Sequence, residues 1–121
     1  MTHSIRRFHV GDRLSEMAVF NQVVYLAGQV ATDASQDIRG QTTQVLAAID
    51  KLLAEARTDK AHILMVQIFL ADLADFGGLN EVWDDWVSPG DAPPRATVQA
   101  LLARSEWKVE MVVTAAIAAG A

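Results

Sequence analysis

The stretch Ile63-Leu64-Met65-Val66-Gln67-Ile68-Phe69-Leu70 is almost continuously apolar, with Gln67 its single polar side chain. Its length suits a strand, and a strand without a polar face belongs buried in the middle of a sheet. The flanking segments have a different period. Upstream, Val45, Ile49, Leu52, Leu53 and Ala56 recur at three and four, which gathers them on one face of a helix. Asp37 suits the N-cap of that helix, although Gly40 weakens its first turn. Downstream, Phe76, Leu79, Trp83 and Trp86 follow at spacings of three, four and three, and Pro89-Gly90 ends this second helix.

Farther out, Ile5-Arg6-Arg7-Phe8, Ala18-Val19-Phe20 and Val23-Val24-Tyr25-Leu26-Ala27 read as strands, with Asn21-Gln22 as the tight turn between the last two. Gly28-Gln29 closes the third strand, and Thr32 to Gly40 is a polar loop. Pro93-Pro94 fixes an extended approach to Arg95-Ala96-Thr97-Val98-Gln99-Ala100-Leu101, and a final strand runs from Trp107 to about Ile117. The order βββαβαββ predicts one α+β domain over residues 1–121, a six-stranded mixed sheet with two helices packed on one face. The other face needs a partner. In the last strand Val109, Met111 and Val113 share one side, while Lys108, Glu110, Val112 and Thr114 share the other. That second side is mixed in character, which suits a surface that meets another subunit and also carries chemistry.

Composition narrows the classes. A chain of 121 residues has length for one core, and an apolar share of 51% is slightly high for so small a body. Burial of apolar surface between subunits accounts for the excess; an Ala/Val-rich core is the alternative. The formal charge is −5, and Lys and Arg are scattered, so nucleic acid is not an expected partner. The chain contains no cysteine, which removes disulfides, thiolate chemistry and Cys-based metal sites. His3, His9 and His62 lack the i,i+4 spacing of a helical metal pair and read as ordinary satisfied histidines. No apolar run is long enough to span a membrane, and Met1 to Val10 is polar and basic with no apolar run behind it. A cytoplasmic protein without a membrane partner or metal is the expectation.

Two charged residues interrupt apolar strands. Arg95 opens the fifth strand after two prolines, and its planar guanidinium fork suits a carboxylate. An ordinary strand-end salt bridge is the alternative. Glu110 stands mid-strand between Val109 and Met111, where burial of a carboxylate costs several kcal/mol, on the order of the buried-ion penalty, unless it is paired or protonated. A buried ion pair with Lys or Arg is its alternative. If Ala103 to Glu106 forms a simple hairpin, Glu110 falls opposite Gln99 and Arg95 opposite Thr114. The two would then share a face at roughly 13 Å, able to grip opposite ends of a small molecule or to belong to sites shared between subunits. Asn80 lines the same cleft or faces solvent. Trp83 and Trp86 read as packing, and Asp84-Asp85 as a solvated helix face.

Four stretches, in this order and spacing, resemble the RidA/YjgF family. They are Leu26-Ala27-Gly28-Gln29-Val30, Ile68-Phe69-Leu70-Ala71-Asp72-Leu73-Ala74-Asp75-Phe76 continuing to Asn80, Pro94-Arg95-Ala96-Thr97-Val98, and Lys108-Val109-Glu110. The resemblance runs from about Ser15 to the C-terminus. Trp83-Asp84-Asp85-Trp86-Val87 is further similar to a less-studied bacterial branch. The resemblance implies a chorismate-mutase-like fold and a homotrimer with three clefts between subunits. Well-understood members hydrolyse reactive enamines and imines such as 2-aminoacrylate to 2-oxo acids and ammonia, as 2-iminobutanoate/2-iminopropanoate deaminases, without a metal or organic cofactor. The arginine matching Arg95 binds the substrate carboxylate, and the glutamate matching Glu110 positions or activates water. The glycine matching Gly28 lines the cleft through its backbone, with Ala27, Asn80 and Thr97 in the same substrate-binding set. Two positions depart from the pattern of active deaminases: Leu14 stands where they carry a tyrosine, and Thr97 where a cysteine is common.

Three functions follow as expectations. The first is an imine/enamine hydrolase, with Arg95 as carboxylate clamp and Glu110 as general base or acid. The second is a non-catalytic trimer that holds a small carboxylate through Arg95. The third, RNA cleavage or translation inhibition, is attached to some relatives of the family; the acidic charge and the lack of a His pair argue against it.

Overall fold

The computed structural model describes residues 4–117. Along them run β1 (Arg6–Val10), β2 (Ser15–Phe20), β3 (Val23–Leu26), α1 (Ile38–Glu55), β4 (Ile63–Leu70), α2 (Phe76–Trp86), β5 (Arg95–Gln99) and β6 (Val109–Ala116). The predicted order is found, and β4 has the bounds that its apolar run marks. The strands form one sheet in the order β1-β2-β3-β6-β4-β5, antiparallel throughout except between β4 and β5. Several ends differ from expectation. β5 stops at Gln99, leaving Leu101 fully exposed, and β6 begins at Val109 instead of Trp107.

Local signals act where the sequence places them. Asn21 and Gln22 take left-handed backbone angles, φ 51° and 66°, as a two-residue hairpin turn requires. The Asp37 carboxylate accepts from Gly40 N at 2.9 Å and caps α1. The apolar stripe of α1 (Val45, Leu46, Ile49, Leu52, Leu53) packs with Leu79 and Trp83 of α2 onto Met17, Val24, Leu26, Ile68, Leu70, Val109, Met111 and Val113. Burial alternates along β6 as its pattern predicts, with Val109, Met111 and Val113 under the helices.

One expectation is overturned. No hairpin joins β5 to β6; β4 lies between them. β5 returns through α2 to run parallel to β4, a β-α-β crossover, and segment 100–108 then passes across the end of β4. Two bonds fasten that passage, from Ala100 N to Leu70 O at 2.9 Å and from Ala71 N to Lys108 O at 3.0 Å. The physical reason is the apolar run itself, which needs a strand on each edge and so takes the place between β5 and β6. Arg95 therefore pairs with Val66, not Thr114, and Glu110 with Phe69, not Gln99. Paired residues share a face. Arg95 lies on the helix-covered face with Val66 and Val113, while Glu110 lies on the open face with Phe69 and Val98. That open face also carries the exposed side chains of Tyr25 and Met65.

Candidate functional site

Phe76, Asn80 and Trp83 stand at i, i+4 and i+7 on α2 and so form one stripe. The stripe meets Arg95. The Arg95 guanidinium donates from Nη2 to Asn80 Oδ1 at 2.6 Å, and its Cζ lies 4.9 Å from the Trp83 ring centroid and 5.7 Å from that of Phe76. Arg95 Nη1 is buried with no hydrogen-bond partner, and among the described residues no carboxylate lies within ion-pair distance of the group. The strand-end salt bridge is thus not what holds Arg95. An amide and two aromatic faces hold it instead, which fixes the plane of the fork without neutralising its charge. Asn80 does not face solvent, as its bland alternative had it. Trp83 packs in the core as read from the sequence, and it also bears on the cation. Thr97, two residues along β5, is on the same face and paired with Ile68.

The second centre lies across the sheet. Glu110 is half-buried on the open face, and among the described residues it has no ion pair. Its carboxylate occupies the space beside Gly28: a Cβ built on Gly28 would press on Oε2 and lie 2.9 Å from Cδ. Glycine here is a matter of room for that carboxylate. Gln29 pins the segment, exchanging backbone bonds with Met111 (2.8 and 3.1 Å) and donating from Nε2 to Ala27 O at 3.0 Å and Glu16 Oε1 at 3.2 Å. Ala27 N in turn donates to Glu16 O at 2.9 Å. Leu14 is exposed in the loop between β1 and β2, at this same end of the sheet.

Sequence reading missed Gln41, which no water reaches. Its Nε2 donates to Ala34 O, Gln36 O and Glu106 O, each at 3.1 Å, and its Oε1 accepts from Lys108 N at 2.9 Å. One amide thus ties the start of α1 to the residue that launches β6, two positions before Glu110. A signal was present: Gln41 stands four residues before Val45 and eight before Ile49, on the apolar stripe, where a polar side chain needs a buried partner.

Several titratable groups away from these centres pair with one another. His9 bonds Glu55 at 2.6 Å and His62 bonds Asp59 at 2.8 Å, while His3 lies outside the described residues. The His62 bond holds the Asp59 carboxyl below its ordinary range, and Arg39, at 2.6 Å, does the same for Glu81. Among the described residues no three His, Asp or Glu side chains cluster as a metal site would need, and no helix is long and apolar enough to cross a membrane.

A mixed sheet with helices on one face, a guanidinium held by an amide and two rings, and a carboxylate set against a bare glycine on the other face describe a small α+β protein with two separate polar centres. The family model described as Endoribonuclease L-PSP matches residues 5–117. A RutC family protein of Haemophilus ducreyi is 53% identical over 113 residues, covering 93% of this chain and 97% of that protein. A solved YjgF-family protein of Neisseria meningitidis superposes with a TM-score of 0.93 at 43% identity, covering 96% of this chain and 97% of the other. A Rid-family structure from Yersinia pestis, described as of unknown function, gives 0.82 at 28% identity over 89% and 90% of the two chains. The chain belongs to the RidA/YjgF family, which also carries the names RutC and L-PSP.

Proposed function

We propose that this protein hydrolyses small reactive imines and enamines derived from amino acids to 2-oxo acids and ammonia. The observation that carries the reading is the Arg95 guanidinium, uncompensated by any carboxylate among the described residues and held flat by Asn80 and Trp83. Such a fork takes a carboxylate through two parallel charge-assisted bonds. Glu110 then accepts a proton from water as the water oxygen adds to the imine carbon. The protonated carboxyl passes that proton to the nitrogen, giving the carbinolamine. The hydroxyl proton then moves through Glu110 to the amino group, the C–N bond breaks, ammonia leaves and the C=O of the 2-oxo acid forms. For an enamine, the protonated carboxyl first delivers its proton to the β-carbon. General acid–base help of this kind gives about 10²–10⁴-fold, enough for a reaction that also proceeds in water.

The geometry adds a condition. Arg95 and Glu110 of one chain point to opposite faces, two strand spacings and three residues of register apart, roughly 14 Å. One small substrate does not bridge them within a chain. In the proposal the open faces come together in a homotrimer, and each cleft takes Arg95 from one chain and Glu110 from its neighbour. Neither cofactor nor metal takes part, and the charge of −5 speaks against RNA as substrate.

One observation favours a second reading, a trimer that binds a carboxylate without turning it over: Leu14, the position matched to the tyrosine of active deaminases, is an exposed aliphatic side chain with no proton to give. An imine-quench or ammonia-release assay on a panel of amino-acid-derived imines separates the two. Acceleration that vanishes in Arg95→Ala supports the hydrolase, and tight binding without turnover supports the binder.

A further inference from the structure

At the end of the sheet away from Gly28 and Glu110, a cavity of about 430 Å³ opens below the C-terminus of α1, lined by Arg6, Val19, Gln22, Ala56, Arg57 and Ile117. Arg6 shares the helix-covered face with its partner Val19, and Arg57 follows Ala56, the C-cap of α1. Two guanidinium side chains thus border one cavity. Among the described residues no carboxylate is within ion-pair distance of either. Arg6 leans on the ring of Phe8 at 5.2 Å. The helix end is closed by backbone alone, with Arg57 N donating to Ala54 O at 3.0 Å and Thr58 N to Leu53 O at 3.0 Å. Like charges around one cavity repel, and an anion between them relieves the repulsion.

A second observation points the same way. Arg57 has φ 63° and Gln22 has φ 66°, both in the left-handed region. Past a helix C-cap, and at the second position of a two-residue hairpin turn, glycine fills that conformation without strain. Here both positions keep long polar side chains, and both line this cavity. Backbone strain of this kind persists where the side chain is used.

We propose that this cavity binds a small phosphorylated metabolite, gripped at its phosphate by Arg6 and Arg57 with the Gln22 amide as a further donor. Two guanidinium forks match the charge and the oxygen geometry of a phosphate monoester. The volume exceeds what phosphate alone needs, and Ile117, beside the buried Val19 and Ala56, gives the organic part a small apolar contact in an otherwise polar lining. The proposal is independent of the imine chemistry, because the six residue steps from Glu110 to Ala116 along β6 separate the two places by roughly 20 Å.

The test uses the full chain, inorganic phosphate and phenyl phosphate as probes, and binding read by calorimetry beside thermal unfolding. Wild type is expected to bind both probes and to melt higher in their presence. Arg57→Gly removes the left-handed strain, so it should fold and melt above wild type in plain buffer, yet bind phenyl phosphate roughly tenfold or more weakly. Arg6→Ala should weaken binding likewise, and Arg95→Ala should bind as wild type does. Equal affinity in Arg57→Gly and wild type overturns the proposal. So does binding that disappears in Arg95→Ala, which would assign the anion to the other site, or no binding of either probe to wild type.

Discussion

Arg95 and Glu110 stand on opposite faces of one sheet, with β4 between their strands: Arg95 is in register with Val66 under the helices, and Glu110 with Phe69 on the open side. Under the proposed function a cleft shared between chains uses this separation, with Arg95 of one subunit as carboxylate clamp and Glu110 of the next as the group that handles the proton.

Arg95→Lys keeps the charge but loses the fork that stacks on Trp83 and bonds Asn80. A charge-assisted bond is worth about 1.5–3 kcal/mol, so kcat/KM should fall by about 10- to 100-fold, mostly through KM. Steady-state kinetics at unchanged Tm checks this; equal kinetics would show the fork unused.

Gly28→Ala places a methyl where the Glu110 carboxylate now sits. The displaced atoms are the end of a flexible side chain, so the fold should survive with a Tm within a few degrees of wild type. Activity should nevertheless fall about 10²-fold, as in Glu110→Gln. A fully active Gly28→Ala protein would remove the carboxylate's position from the mechanism.

Gln41→Leu is close in volume but takes the partner from Lys108 N and from three carbonyls at partly buried positions. Each unpaired buried group costs about 1–3 kcal/mol, and chemical denaturation should show a loss of at least about 3 kcal/mol. Activity per folded molecule should drop as well, because the start of β6 loses its tether; an unchanged midpoint would contradict the tie.

Much of the fold was legible because the signals were local. The run 63–70, the period of Val45 to Ala56 and the cap at Asp37 each state their own structure. Sheet order was not legible. Whether Gln99 or Phe69 lies beside Glu110 depends on which strand takes the centre, and a loop at 103–106 looks like a hairpin turn whether or not another strand intervenes. The residues Arg95, Asn80, Gly28 and Glu110 could be named from the sequence, but their faces could not, since a face follows from register. Gln41 was readable as a polar residue on an apolar stripe, although its four partners lie in segments far along the chain.

The most direct test of a cleft built from two chains is subunit mixing. Arg95→Ala and Glu110→Gln trimers, each inactive alone, are unfolded together at equal amounts, refolded and assayed for imine hydrolysis. If Arg95 of one chain works with Glu110 of the next, random reassembly gives about a quarter of the interfaces both intact residues, and about a quarter of wild-type activity returns. A mixture as inactive as its parents, after mass measurement has shown that mixed trimers formed, would contradict the shared cleft.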